Sequence, residues 1–333
     1  ISEMMIYALS SSDHIRVLDN QSMTDMIRHL ENPEKASIGP DLARKVASAL
    51  KVESYITGDF LLAGSTLRIH LKLIHTGSSE VERSDFAEGS VDSIFSLAGT
   101  LAERIKNYLD MEMLGRNTEI VPASQVSTSS PEAYRYYILG LEKMWSNRRG
   151  YAETDLREAV RIDSSFTEAH FLLSLIKTRQ GAFTNAKEHF LKADQGKNRM
   201  TGNMRLWHEA IRANYVDKNP YRSIEILQEA ARKDPLSRMN WLWLGRTYYA
   251  VEQYTDALES CQQILRLNKK MGTWKNAAFY DLISSVYLEL GKYKNAEKIL
   301  KEGDEQIPES QLIKSTQAAC ALYQNDSLAA RIY

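Results

Sequence analysis

His70 and His75, the His208-Glu209 pair, and Cys261 with Cys320 are the groups in this sequence whose types could support metal or thiol chemistry. Their spacing argues against it. His70 and His75 stand an odd number of residues apart on an extended segment, so they face opposite ways. His208-Glu209 has no second histidine one helical turn on, and so lacks the paired imidazoles of a helical zinc site. Two cysteines do not make a disulfide framework. A Cys261–Cys320 bridge is the lesser reading beside a free thiol acting as a small hydrophobe. No G-x-G-x-x-G, G-x-x-x-x-G-K-[ST], G-x-S-x-G or H-E-x-x-H occurs, and kinase catalytic motifs are missing too. The expectation is no enzyme, no metal and no cofactor.

At 333 residues the chain has room for two or three domains. Its 43% hydrophobic and 26% charged residues are ordinary globular values. A net charge of −1, with only the short basic pairs Arg148-Arg149 and Lys269-Lys270, gives no footprint for nucleic acid. No apolar run approaches the length of a membrane span. The opening Ile1-Ser2-Glu3-Met4-Met5-Ile6 reads as the inside of a helix, so an anchor or effector segment is expected upstream. Residues 115–131 are rich in Ser, Thr, Gly and Pro, a linker composition. Up to Gln125 there are 12 basic and 18 acidic residues, against 30 and 25 after it.

From Ala133 onward, small residues recur with a period of 34. Gly140, Ala152 and Ala159 hold the eighth, twentieth and twenty-seventh positions of residues 133–166. Ser174, Ala186, Phe190 and Ala193 follow in 167–200. Trp207, Ala230 and Pro235 mark 204–237, where Ile211 and Ser223 replace the expected small residues. Trp241, Leu244, Gly245, Tyr248 and Ala257 make 238–271 the cleanest copy. Tyr287, Ala296 and Pro308 mark 277–310, and 311–333 begins a sixth. This pattern resembles the tetratricopeptide repeat, in which small residues let paired helices approach and proline ends the second helix. Cys261 then falls on a second-helix core position.

The resemblance implies a concave groove lined by the first helices at positions two, five, nine, twelve and thirteen. The fifth copy contributes Ala278, Asp281, Ser285, Leu288 and Glu289 there. Arginines and aromatics gather in the middle copies. The candidate partner-binding residues are Tyr137, Trp145, Arg179, His208, Arg212, Tyr215, Arg246 and Tyr249. Arginine grips carboxylates bidentately and tyrosine adds rigid apolar area, so an acidic or C-terminal peptide is the expected partner. The family's carboxylate-clamp Lys and Asn are absent: Tyr137 and Leu141 stand in those positions.

The first 114 residues read differently. Leu67, Ile69, Leu71 and Leu73 alternate with polar residues, the period of a half-buried strand. Tyr55–Ala63 and Glu80–Phe86 are further strands, entered through Gly64-Ser65 and Gly77-Ser78 turns. His14–Leu18 reads as a short strand. Helical spacing appears in Leu42, Val46, Ala49 and Leu50, and again in Val91 through Leu109. Tyr55-Ile56-Thr57-Gly58-Asp59-Phe60, Leu67–Ile74 and Val91–Leu97 look like the TolB-amino-terminal-like domain, without its usual first strand. That resemblance implies company with CadC-type membrane-bound activators and with some bacterial kinases and adenylate cyclases.

Residues 1–114 are therefore expected to form an α+β domain, 115–131 a linker and 132–333 an all-α tetratricopeptide-repeat solenoid, a right-handed superhelix of helical hairpins. The expected role is the sensory or regulatory part of a bacterial signalling or transcription-regulatory protein, binding a protein or peptide. A stand-alone envelope assembly scaffold is the alternative, and an unrecognised enzyme the lesser one. The resemblance leans to an extracytoplasmic (periplasmic) location, with the cytoplasm as alternative and membrane contact only through an upstream segment. Leu312, Ala319, Leu322 and Leu328 leave an apolar end to the partial copy, so a homodimer is expected there.

Overall fold

The computed structural model describes residues 2–10, 15–31, 38–114, 128–145, 149–200, 202–308 and 310–323. Packing groups the chain into two units, residues 1–144 with 148–208, and residues 145–147 with 209–333.

The first unit opens with α1 (Ser2–Leu9), α2 (Asn20–Leu30) and α3 (Pro40–Leu50). Asp19 starts α2 by accepting the Ser22 N–H at 2.7 Å. Pro40 starts α3, where its missing N–H leaves nothing unmade. Three ten-residue strands follow, β1 (Ser54–Ala63), β2 (Thr66–His75) and β3 (Val81–Ser90), antiparallel in that order. Gly64 makes the first turn at φ 61°, a conformation that suits glycine. Leu67, Ile69, Leu71 and Leu73 of β2 are all buried, as the alternation requires. They pack on Leu101, Ala102 and Ile105 of α4 (Ile94–Leu114) and on Met5 and Leu9 of α1. Each such side chain stabilises the fold by about 1.5–3 kcal/mol, so this face holds sheet and helices together.

Gly58 sits opposite Leu71 in the ladder, and a Cβ there would come within 2.5 Å of the His70 carbonyl oxygen. Only glycine fits. The outer half of the edge strand β1, Phe60 to Leu62, stays exposed. The short strand expected at His14–Leu18 is not formed: residues 15–18 carry no strand, and His14 lies outside the described residues. Val17 packs on the sheet core without joining it. A strand needs a hydrogen-bonding neighbour, and the three-stranded ladder extends none to this segment. The expected linker falls mostly on residues 115–127, also outside the described residues.

Still in the first unit, two helical hairpins follow: α5 (Pro131–Trp145) with α6 (Arg149–Ile162), and α7 (Thr167–Arg179) with α8 (Phe183–Gln195). The small residues found by periodicity lie where helices touch. Ala152, Ala159 and Ala193 are fully buried, and a Cβ on Gly140 would meet Leu156 Cγ at 2.7 Å. Phe95 of α4 meets Tyr134 edge-on at 5.4 Å, which seats α5 against the α+β domain.

The next helix, α9 (Gly202–Ile211), runs into a π-helical turn at Arg212–Val216 before α10 (Pro220–Lys233). Position eight of this copy is Ile211, where the other copies carry Gly, Ser or Ala. The second unit continues with α11 (Arg238–Ala250), α12 (Tyr254–Met271), α13 (Ala277–Glu289), α14 (Tyr293–Gln306) and α15 (Gln311–Tyr323). Asn240 donates to the Ala230 and Asp234 carbonyls, closing α10 against α11, and Trp241 donates to the Pro235 carbonyl at 2.9 Å. Ala257, Cys261, Ile264, Phe279, Ile283, Val286, Ala296 and Ile313 form one buried core. The architecture is an α+β domain followed by helical hairpins of the tetratricopeptide type. Among the described residues no helix is long and apolar enough to cross a membrane.

Candidate functional site

On α13, the buried Phe279, Ile283 and Val286 face the core, while Asp281, Ser285 and Glu289 line the other side and Leu288, itself buried in the core, reaches the pocket at its edge. Spacings of four put Asp281, Ser285 and Glu289 on one helical face. On α15 the same face presents Ser315, Ala319 and Tyr323, each four residues from the next. Tyr249 closes the opposite wall from α11. Together with Thr316, these residues line a pocket of ≈ 330 Å³ between the first helices of three successive copies.

The pocket is small-sided and acidic. Thr316 Oγ1 lies 2.7 Å from Asp281 Oδ1 and 2.9 Å from the Leu312 carbonyl, so its one proton is given to either. Tyr323 donates to Glu289 Oε1 at 2.9 Å, and the Tyr249 hydroxyl approaches the same oxygen at 3.5 Å. Tyr254 packs on Tyr249 with ring centroids 5.5 Å apart, and Tyr293 on Tyr323 at 6.5 Å. Burial, then the Glu289 charge, pushes the Tyr249 phenol up to about 12. The hydrogen bond to Glu289 raises that of Tyr323. Both phenols thus stay protonated and keep donating toward a charged carboxylate.

Among the described side chains expected to line a groove, only Tyr249 lies at this pocket. Tyr137 and His208 are buried and present no surface to a partner. Tyr137 packs at 4.9 Å on Phe166, and His208 stacks on Phe190 at 4.8 Å and meets Phe171 edge-on. Arg179, in the first unit, and Arg246, on α11, are exposed away from the pocket lining. Arg212 lies 3.8 Å from Asp217, and Tyr215 is exposed on the π-helical turn. Trp145 ends α5, and its side chain lies outside the described residues.

Asp281, Ser285, Leu288 and Glu289 were on the groove positions of the fifth copy but carry neither arginine nor exposed aromatics. Ser315, Thr316, Ala319 and Tyr323 belong to the partial copy. The signal that finds them is side-chain size. Position five is Tyr137, Phe171, His208 and Leu242 in the first four copies and Asp281 and Ser315 in the last two. A hollow opens where the large residues stop.

The first unit holds a second polar cluster. His170 Nε2 bonds the Ser164 carbonyl at 3.0 Å, and its Nδ1 stands 2.9 Å from Nδ1 of His189. One proton is shared between those facing nitrogens, so both rings are neutral; burial pushes His189 down to about 4 and lowers His170. Burial also lifts Glu168 up to about 8. Among the described residues no group of three or more His, Cys, Asp or Glu side chains comes together to hold a metal ion. Cys261 and Cys320 are both buried and not joined by a disulfide, which sets the bridge aside, and burial pushes the Cys261 thiol up.

Residues 277–309, the α13–α14 hairpin, match the family model of the tetratricopeptide repeat. No curated protein sequence matches the chain. Among solved structures, PilW, a widely conserved type IV pilus biogenesis factor, is 14% identical over 61% of this chain and 91% of its own, with a TM-score of 0.41. A thermophilic tetratricopeptide-repeat protein of Thermus thermophilus is 17% identical over 57% of this chain and 99% of its own, TM-score 0.40. Pseudomonas aeruginosa pilF is 20% identical over 61% and 88%, TM-score 0.37.

Proposed function

We propose that this chain is a non-catalytic protein-interaction module whose second unit holds an extended segment of a partner protein. The observation that carries this reading is the pocket itself. Three consecutive first helices, α11, α13 and α15, each contribute residues from groove positions to one hollow of ≈ 330 Å³. Stacked hairpins use such concave surfaces for binding, and their rigid helices pre-organise the contact. The expected acidic partner rested on Arg179, Arg212 and Arg246, and none of the three lines the pocket.

The resemblance of the first 114 residues to the TolB-amino-terminal-like domain supports a setting for this module. In that setting it is the sensory or regulatory part of a bacterial signalling or transcription-regulatory protein, on the extracytoplasmic side of the membrane. Binding would then be its output or its input, with no bond made or broken.

Site-specific photo-crosslinking in the producing cell tests the reading. A photoreactive residue at Ser315, in the pocket, is expected to capture a discrete protein that the same residue at Glu259, outside the lining residues, does not. The same capture from both positions, or none from Ser315, would overturn it.

A further inference from the structure

We infer that the pocket of α11, α13 and α15 selects a lysine or arginine side chain of the bound segment, an inference that rests on the peptide-binding reading above. Asp281 and Glu289 bring two carboxylates to the lining, and no lysine, arginine or histidine is among the lining residues. A carboxylate has about four lone-pair sites. Glu289 Oε1 receives the Tyr323 hydroxyl, which fixes the group in place and leaves room for a further donor. Asp281 is oriented in the same way by Thr316.

The walls suit a cation as well as the floor does. Tyr249 and Tyr323 present aromatic rings, whose faces attract an ammonium or guanidinium group. The same rings and the Ala319 methyl offer apolar surface to the methylene stem that such side chains carry, and the Ser285 and Ser315 hydroxyls are able to accept N–H donors. An acidic side chain would meet two like charges. An apolar one would strip water from Asp281 and Glu289 and give nothing back.

The test uses the whole chain and an immobilised library of random peptides. Lysine or arginine is expected to be enriched at one fixed position, with binding that weakens as salt is added. Glu289→Gln is expected to weaken the selected peptides by about tenfold, one tenfold step of affinity. Asp281→Asn serves as a second variant, and circular dichroism confirms that each keeps its helices. Ser315→Trp, which fills the hollow, is expected to abolish selection. Peptides that Ser315→Trp displaces but that show no preference for lysine or arginine, or that ignore Glu289→Gln, would overturn this inference and leave peptide binding standing. No enrichment, or enrichment that Ser315→Trp leaves intact, would overturn both.

Discussion

Position five of the repeat is Tyr137, Phe171 and His208 in the first unit, and Leu242, Asp281 and Ser315 in the second. In the first unit these side chains are buried, so the hairpins there use the position as core. In the second unit Leu242 is still buried, while Asp281 and Ser315 line an open pocket. The backbone scheme is the same in both. What changes is side-chain size and charge, and with it the work of the helix: packing in one region, and in the other the recognition proposed here.

The largest effect separating the two regions is expected from Phe171→Ala. Phe171 is fully buried, so its truncation should cost about 3–5 kcal/mol in thermal or denaturant unfolding. A loss under about 1 kcal/mol would mean that position five is not core in the first unit.

Asp281→Leu makes the converse change, installing at position five of the fifth copy the residue that the fourth copy carries. It removes the acceptor of the Thr316 hydroxyl, a loss of about 1 kcal/mol, and fills the pocket. Calorimetry should find the fold nearly unchanged, while the affinity for peptides selected by the native chain falls at least about tenfold. A variant that binds as before would erase the distinction between the two regions.

The first unit should also respond to pH in a way the pocket does not. Glu168, lifted up to about 8 by burial, holds a proton in the folded chain that the unfolded chain gives up near its ordinary value. Its contribution is therefore fully present below pH about 4.3 and is lost as pH rises through about 8. Glu168→Gln removes that loss. Its melting temperature should match the native chain near pH 4.5 and exceed it at pH 8. An equal difference at both values would place the proton elsewhere.

A smaller effect belongs to the facing histidines. Burial holds His170 and His189 below the ordinary imidazole range, with His189 down to about 4, so the unfolded chain takes up protons first as pH falls. Stability from the neutral pair is present above pH about 6.5 and is lost as pH falls toward 4. Lys192, beside the pair, opposes protonation, while Glu188 and Asp163 favour it. His189→Gln should flatten this acid limb in a pH series of melting curves; an unchanged limb would assign it to other groups.

The hairpin scheme was legible in the sequence because close helix packing admits only small residues. Gly140, Ala152, Ala159, Ala193 and Ala257 could be read from spacing, and each lies at a contact. The β2 alternation was legible for a similar reason, since one buried face fixes the period. His14–Leu18 misled because a short local segment says nothing about whether a neighbouring ladder is there to pair with. The site was harder to read. Arg179, Arg212 and Arg246 have the chemistry of recognition, yet exposure alone does not make a pocket. His208 sat on a groove position and became a ring in a stack of aromatics, because burial depends on what the neighbouring helices bring. The pocket is defined by a loss of bulk at positions five and nine, and an absence of side chain is a quieter signal than a charged one.

Hydrogen–deuterium exchange, with and without a selected basic peptide, tests the central claim most directly. The account predicts slowed exchange across α11, α13 and α15 (Arg238–Ala250, Ala277–Glu289 and Gln311–Tyr323), with α7 and α8 unchanged. Protection in α7 and α8, or none in α13 and α15, would contradict it.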